Sequence, residues 1–456
     1  MYTALVSNLL FPLHERLKRH ASVAVRHRLE DTQWWSPERL QALQVERLRA
    51  LLVEAGRQVP YYRELFRAQG FEPAKLNELS DLQRLPFLTK SLIRANTERL
   101  KHGDAMGLAR FNTGGSSGEP LIFFIGNERV SHDVAAKWRA TRWWDVDIGD
   151  PEIVVWGSPI ELGSQDRIRA LRDKLLRTTL LPAFEMSEAR LDGFIATIRR
   201  KCPRMLFGYP SALSHIARHA ETRDQRMDDL GIKVAFVTSE RLYDNQREII
   251  SRVFGCRVAN GYGGRDAGFI AHECPDGGMH LTAEDTVVEI VDSEGRMLPN
   301  GQSGEIVVTH LATKDFPFVR YRTGDVGALS SHPCRCGRGL PLLQSIEGRN
   351  TDFLVAADGT VMHGLAFIYI LRDLPGLRQF KIIQESLLET RILLVTDGAF
   401  DAACLADIVQ KAKSRLGKEV EITIERVAEI PLERSGKYRY VVSRLDSAQR
   451  ENPIHA

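Results

Sequence analysis

Long apolar runs are missing from this chain. No stretch of its 456 residues approaches the about 18 consecutive apolar residues that cross a bilayer, so no transmembrane segment is expected. Cysteine is scarce, with six residues in the whole sequence, too few for a disulfide scaffold of this length. Reduced thiols and a cytoplasmic compartment are therefore expected. The opening MYTALVSNLLFPLHERLKRH has no basic stretch before its apolar patch and no small-residue cleavage site, and reads as mature protein rather than signal peptide. Pro12 and the charges after it fit a short amphipathic segment packed on the body, with contact to a membrane surface as the alternative. Net charge is only +3, which gives no argument for nucleic acid. Internal repeats and low-complexity tracts are absent.

Apolar content of 43% and charged content of 27% are ordinary for a folded globular protein, and the length exceeds one core. An N-terminal helical segment is expected over residues 1–75. Within it, 36–57 places Leu40, Leu43, Leu48, Leu51 and Leu52 on one stripe behind a Ser36 N-cap and Pro37. Short β-rich runs at 152–157, 204–209 and 233–239 alternate with helical stretches such as 187–201 and 243–253, the pattern of a parallel sheet with crossover helices. From 286 the texture becomes antiparallel strands joined by Gly, Pro and Asn turns. A boundary falls near EGRNTDF (347–353), followed by a compact β-α-β-β-α-β pattern with helices near 365–373 and 400–416. The fold class is thus α/β: a large N-terminal domain over 1–349, a hinge at 350–352, and a small α+β domain over 353–456.

The densest chemical signal is FNTGGSSGEP (111–120). Gly114, Gly115 and Gly118 with Thr113, Ser116 and Ser117 suit backbone and hydroxyl donors converging on phosphate oxygens. The text is not G-x-x-x-x-G-K-[ST], so it is no P-loop, and alone it reads equally as a surface turn. Three distant stretches join it: NGYGGRDAG (260–268), VRYRTGDVG (319–327) and IPLERSGKYRYVV (430–442). With TQWWSP, VPYYRELF and EGRNTDF, in this order, they resemble the adenylate-forming superfamily of acyl ligases. The resemblance is greatest to the phenylacetate–CoA ligase-like branch, including members associated with capsule polysaccharide synthesis, and it covers nearly the whole chain.

That resemblance implies an ATP-dependent acid–thiol ligase, which makes an acyl-adenylate and passes the acyl group to coenzyme A. Thr113, Gly114, Gly115, Ser116, Ser117 and Gly118 would hold the β- and γ-phosphates. Asp266 matches an acidic position that binds Mg²⁺, an ion that takes oxygen ligands and bridges phosphates. It is Asp where Glu is usual, and Arg265 replaces a Ser/Thr, adding a cation beside the α-phosphate or acyl carboxylate. The loop also lacks the lysine common in relatives, which leaves charge neutralisation to Mg²⁺ and Lys437. Tyr262, Gly263, Ser239 and Glu240 would flank the adenine, Asp325 would accept both ribose hydroxyls, and Arg349 would reach ribose or phosphates. Asp352 matches the hinge about which the small domain rotates between half-reactions. Lys437 would stabilise charge growing on the α-phosphate during adenylation.

Trp156, Tyr209 and Pro210 match segments beside the acyl pocket, whereas Trp138, Trp143 and Trp144 read as core. The basic helix 166–177 reads as a solvated face, with the 3′-phosphate of coenzyme A or an anionic sugar as alternative partners. Cys274-x5-His280 and Cys334-x-Cys336 form two half-sites for a structural Cys₃His zinc, with His272 and His332 as competing ligands. The text after the hinge, VAADGTVMHG, departs from that of aryl–CoA ligases and leaves coenzyme A, a carrier or a sugar open as acceptor. Two other classes compete: a nucleotidyltransferase leaving AMP on its acceptor, and a nucleotide-binding protein without turnover. The particular acid and the oligomeric state are not legible.

Overall fold

The computed structural model describes residues 2–112, 121–156, 167–183, 188–349, 353–357, 361–363, 367, 370–371, 374–431 and 439–445. The chain divides into two compact units, Met1–Glu347 and Gly348–Ala456. Among the described residues no helix is long and apolar enough to cross a membrane.

In the first unit, strands β1 (Ala109–Asn112) and β2 (Ile122–Ile125) pair antiparallel, with Asn112 opposite Ile122, so the glycine-rich residues 113–120 fall in the connection of a hairpin. Next come β3 (Glu152–Trp156), β4 (Thr178–Pro182), β5 (Met205–Gly208), β6 (Val234–Thr238) and β7 (Arg257–Gly264). They run parallel in the order β4-β3-β5-β6-β7. β5 and β6 are buried along their whole length, which is why their sequences read as continuous apolar runs rather than alternating ones. The helices Glu188–Lys201, Pro210–Thr222 and Asp244–Phe254 cover this part through Leu191, Ile198, Leu213, Ile216, Ile250 and Phe254.

β8 (Gly268–Glu273) reverses direction against β7, and β9 (Met279–Leu281) pairs antiparallel with β8. The same sheet continues through β10 (Thr286–Val291), β11 (Gly304–His310), β12 (Tyr321–Leu329) and β13 (Leu342–Arg349), in the order β10-β11-β12-β13-β9-β8-β7. The change from parallel to antiparallel therefore falls at 265–267, some twenty residues before the expected 286. Its physical cause is the tight turn inside NGYGGRDAG, which sends the chain straight back along its own strand.

The N-terminal helices form as expected. Ser36 caps Pro37–Gln58, accepting a hydrogen bond from Arg39 N at 3.4 Å. Leu48, Leu52 and Ala55 of that helix enter a core shared with Ile290, Ile306 and Val308 of β10 and β11.

The second unit holds a hairpin of β14 (Phe353–Val355) and β15 (Val361–His363) and a four-stranded sheet. That sheet contains β16 (Leu377–Ser386), β17 (Glu389–Thr396), β18 (Glu421–Arg426) and β19 (Val441–Ser443), in the order β18-β17-β16-β19. Helix Cys404–Leu416 buries Ile408, Ala412 and Leu416. The expected helix at 365–373 lies mostly outside the described residues. The separate β14–β15 hairpin was not read from the sequence, because three-residue strands carry too little periodicity.

Candidate functional site

In open parallel sheets, ligands bind beyond the carboxyl ends of the strands. Here those ends are brought level by register. Val155 pairs with Gly208, Gly208 with Val237, and Thr238 with Gly261. The next row holds Trp156 and Tyr209 level with Thr238 and Gly261, and Ser239 and Tyr262 follow one residue later; Trp156, Tyr209, Ser239 and Tyr262 were singled out by sequence. Trp156 and Tyr209 stack with ring centroids 4.4 Å apart at 26°. Tyr209 also precedes Pro210, the first residue of helix Pro210–Thr222, which sets the direction in which the chain leaves the strand. Ser239 has φ of +70°, a left-handed conformation unusual for a residue with a side chain. Backbone strain of this kind concentrates at ligand-binding edges.

Two reciprocal hydrogen bonds join this edge to β12. Tyr262 Oη on β7 donates to Asp325 Oδ2 on β12 at 2.9 Å. In return, Tyr321 Oη on β12 donates to Asp266 Oδ2, in the turn after β7, at 2.7 Å. The Asp266 Oδ1 also accepts from Ala267 N at 3.1 Å. Asp325 owes its position to a bulge. Arg322 pairs with Val307 and Val326 with Glu305, so Thr323, Gly324 and Asp325 stand opposite Ile306 alone. Gly324 takes φ of +76°, and Thr323 Oγ1 accepts from Asp325 N at 3.0 Å. The sequence RTGD thus encodes a bulge that projects a carboxylate.

The Arg265–Asp266 turn is supported from behind. Arg129, almost fully buried, donates to Arg265 O at 3.4 Å and to Asp133 Oδ2 at 3.0 Å. Arg129 and His310 both press on Gly268, where a Cβ would come within 2.9 Å of either side chain. Burial pushes the His310 imidazole down to about 4, so it stays neutral at physiological pH. Arg129, His310 and Tyr321 were missed by sequence reasoning. Only Tyr321 carried a usable signal, its place in RYRTGD.

A second cluster forms where β8, β9 and the loop before β13 meet. Cys274, His280, Cys334 and Cys336 place one ligand atom each within 4.8 Å of one another. Cys274 Sγ lies 3.7 Å from Cys334 Sγ, and Cys336 Sγ 3.2 Å from His280 Nε2. Each half-site is a tight turn: Gly277 N donates to Cys274 O at 2.9 Å, and Gly337 N to Cys334 O at 3.3 Å. A Cβ on Gly278 would fall 2.5 Å from Cys334 Sγ, so only glycine admits that sulfur. Burial pushes the Cys274 thiol up to about 12 and the His280 imidazole down to about 4, which keeps the imidazole in its neutral, ligating form. Trp143 meets the His280 ring edge-on at 5.5 Å and donates from Nε1 to Gln33 Oε1 at 2.8 Å, fixing the ligand's orientation.

The competing histidines fall away. His272 stacks on Phe269 at 5.4 Å, is buried, and is pushed down to about 3 by that burial; its ring nitrogens have no hydrogen-bond partner among the described residues. His332 is exposed and lies outside the cluster. Trp138 and Trp144 are buried and Trp143 is occupied at His280, in keeping with the core reading.

Several sequence-identified residues lie outside the described residues: the loop residues Thr113, Gly114, Gly115, Ser116, Ser117 and Gly118, Asp352 at the hinge, and Lys437. Arg349 ends β13, and its side chain also lies outside them.

The strand edge carries two motif carboxylates from distant parts of the sequence. The chain is similar to adenylate-forming enzymes, to phenylacetate–coenzyme A ligases and to Protein CapK among them. Residues 178–312 match the AMP-binding enzyme family, and residues 354–444 match the CapK C-terminal domain. Protein CapK of Staphylococcus aureus is 22% identical, over 84% of this chain and 85% of its own. A phenylacetate–coenzyme A ligase of Thermus thermophilus is 24% identical, over 89% of this chain and 96% of its own. Among solved structures, a 2-hydroxyisobutyryl-CoA ligase in the postadenylation state matches with a TM-score of 0.71 at 22% identity, covering 91% of each chain. ATP-bound MatB from Rhodopseudomonas palustris matches at 0.51 and 16% identity, over 76% of this chain and 68% of its own. These structural likenesses establish the fold, a large mixed α/β domain with a small α+β domain.

Proposed function

We propose that this chain activates a carboxylic acid with ATP and transfers the acyl group to a thiol, with coenzyme A as the leading acceptor. The observation that carries the reading is the reciprocal Tyr262–Asp325 and Tyr321–Asp266 pairing, which brings two motif carboxylates from distant sequence to one edge. In the first half-reaction the acid's carboxylate oxygen attacks the α-phosphorus, and the bond to pyrophosphate breaks. Asp325 accepts the ribose hydroxyls, a task one carboxylate can perform for two donors. Asp266, whose oxygen donors suit Mg²⁺, would hold the ion that neutralises the phosphates. Thr113, Ser116, Ser117 and the loop amides hold the β- and γ-phosphates, with Ser239, Glu240, Tyr262 and Gly263 around the adenine. Trp156, Tyr209 and Pro210 wall the acyl group; their stacked aromatic faces favour an acid with an apolar or planar body. In the second half-reaction the small domain turns about 350–352, the thiolate attacks the acyl carbon, and AMP leaves. Mass spectrometry of the product distinguishes the two enzymatic readings: an acyl thioester with free AMP is expected, and an AMP adduct of the acceptor would favour the nucleotidyltransferase. From the resemblance to capsule-associated members we infer that the product serves polysaccharide decoration.

The Cys274, His280, Cys334 and Cys336 set is proposed to hold a structural zinc. Three sulfurs and one imidazole are a donor set that closes a tetrahedral site and leaves no position for substrate. Such a metal would tie the β8–β9 turn to the loop before β13. Protein with Cys334→Ser and Cys336→Ser, purified without chelator, is expected to lose one equivalent of zinc by elemental analysis. It should also unfold roughly 10 °C lower, since metal-binding energy is folding energy at such a site. Metal content unchanged from the parent protein would remove the assignment.

A further inference from the structure

Exposed apolar side chains gather in one place among the described residues. Among the described residues twelve large hydrophobic side chains are exposed, and seven of them lie on two adjoining helical segments: Tyr2, Leu5, Leu9, Leu13 and Leu17 on the first, Leu171 and Leu175 on the second. Scattered single exposed hydrophobics are normal, but a contiguous group of this size marks a contact surface. Leu17 retains 77% of its accessible surface and Leu9 57%, so these are not partly covered core residues.

The first segment runs through Tyr2–Leu5, a π turn at Val6–Leu10, and Phe11–Leu17. Leucines four residues apart drift around an α-helix, and the wider π turn takes up part of that drift, so the stripe stays on one face. The opposite face is fixed to the body. Val6 is buried against Gly149, Phe11 meets Trp138 edge-on at 5.1 Å, and Thr3 Oγ1 donates to Asp150 Oδ1 at 2.8 Å. The second segment, helix Arg167–Leu176, adjoins it: Tyr2 Oη donates to Leu175 O at 2.8 Å, and the Arg177 guanidinium lies 5.5 Å from the Tyr2 ring. An amphipathic segment simply packed on the body would turn polar residues outward; this one is apolar on both sides.

Charge identifies the occupant. Arg16, Lys18, Arg19, Lys174 and Arg177 are all exposed around the leucines. The acidic residues of the two segments are accounted for: Glu15 is buried and accepts from Ser22 Oγ at 2.5 Å, and Asp173 pairs with Arg172 at 2.5 Å. The exposed charge on this patch is therefore of one sign, five cations whose neighbouring acids are buried or paired. A second copy of the chain docking through the same patch would set these cations against their own equivalents, because a two-fold interface is self-facing. An anionic bilayer surface meets both features: leucines enter the acyl boundary while Lys and Arg contact lipid phosphates.

We propose that the Tyr2–Leu17 and Arg167–Leu176 face is a docking surface for anionic phospholipid membranes, held rigidly on the large unit. The test is flotation of the full chain with vesicles of phosphatidylcholine alone or with one third phosphatidylglycerol, at low and high salt. Binding is expected only to the anionic vesicles and should fall as salt rises. Leu9→Ser with Leu13→Ser should lower partitioning at least about tenfold by removing buried apolar area. Lys18→Ser with Arg19→Ser should lower it roughly tenfold or more, at about fivefold per basic residue near an anionic surface. Both variants alter exposed side chains, so a far-UV spectrum and unfolding temperature equal to the parent confirm that the fold is intact. A parent chain that floats with neither vesicle overturns the proposal, and so does equal, salt-insensitive binding to both. A dimer that sediments without lipid and is lost in the Leu9/Leu13 variant overturns it in favour of self-association.

Discussion

Replacing Asp266 by alanine is expected to slow adenylate formation by roughly 10²–10³-fold, the scale on which one preorganised electrostatic partner of a developing charge acts. The carboxylate is held from two sides, by Tyr321 Oη at 2.7 Å and Ala267 N at 3.1 Å, so it is positioned before any ligand arrives. Tyr321 is itself fully buried, and its strand is pinned at each side: Leu88 N donates to Arg320 O at 2.9 Å, and Arg322 N to Leu88 O at 3.0 Å. Tyr321→Phe keeps the ring packing and removes only the hydroxyl, and should cost about tenfold, the lower end of the range for an outer partner of a metal ligand. The Mg²⁺ concentration for half-maximal rate should rise in both variants, a shift that lost packing alone would not produce. Steady-state kinetics over a Mg²⁺ series reads this directly. Full activity in Asp266→Ala would remove the residue from the reaction.

Lys437→Ala is expected to divide the two half-reactions. Adenylation should fall by about two orders of magnitude or more if Lys437 has the role the resemblance implies, because an ammonium that stabilises charge growing on the α-phosphate and carboxylate would act mainly in the transition state. Transfer from a chemically supplied acyl-adenylate should stay within about threefold of the parent, since the proposed turn of the small domain between the half-reactions takes Lys437 out of the second one. Lys437 lies four residues before β19, whose Val441 pairs with Ile382 in the small unit's sheet. A change at Lys437 therefore leaves that strand's own pairing residues intact. Equal loss in both half-reactions would contradict the assigned role.

How far the sequence could be read depended on the range of each interaction. RTGD and GGRDAG were legible as short motifs of adjacent residues, through the resemblance, but not the bulge at Gly324 or the reversal between β7 and β8, which the strand texture placed only at 286. The supports of those turns were not legible. Tyr321 reaches Asp266 across 55 residues, and Arg129 reaches Arg265 across 136, distances over which spacing carries no information. The cysteine spacing named the metal-ligand types but left three histidines in play. His272 and His280 are register partners on β8 and β9, so neighbouring text cannot separate them; the geometry does, because only His280 lies within 4.8 Å of the three sulfurs. The N-terminal segment was read as amphipathic, and only the packing of Val6 and Phe11 reveals that its leucines are left outside.

The central claim is that the chain makes an acyl-adenylate. Isotope exchange between pyrophosphate and ATP, run across a panel of aryl, short-chain, hydroxy and sugar acids, tests it most directly. Exchange that requires Mg²⁺ and one class of acid, and that collapses in Asp266→Ala, is the predicted result. ATP binding without exchange for any acid would contradict the account.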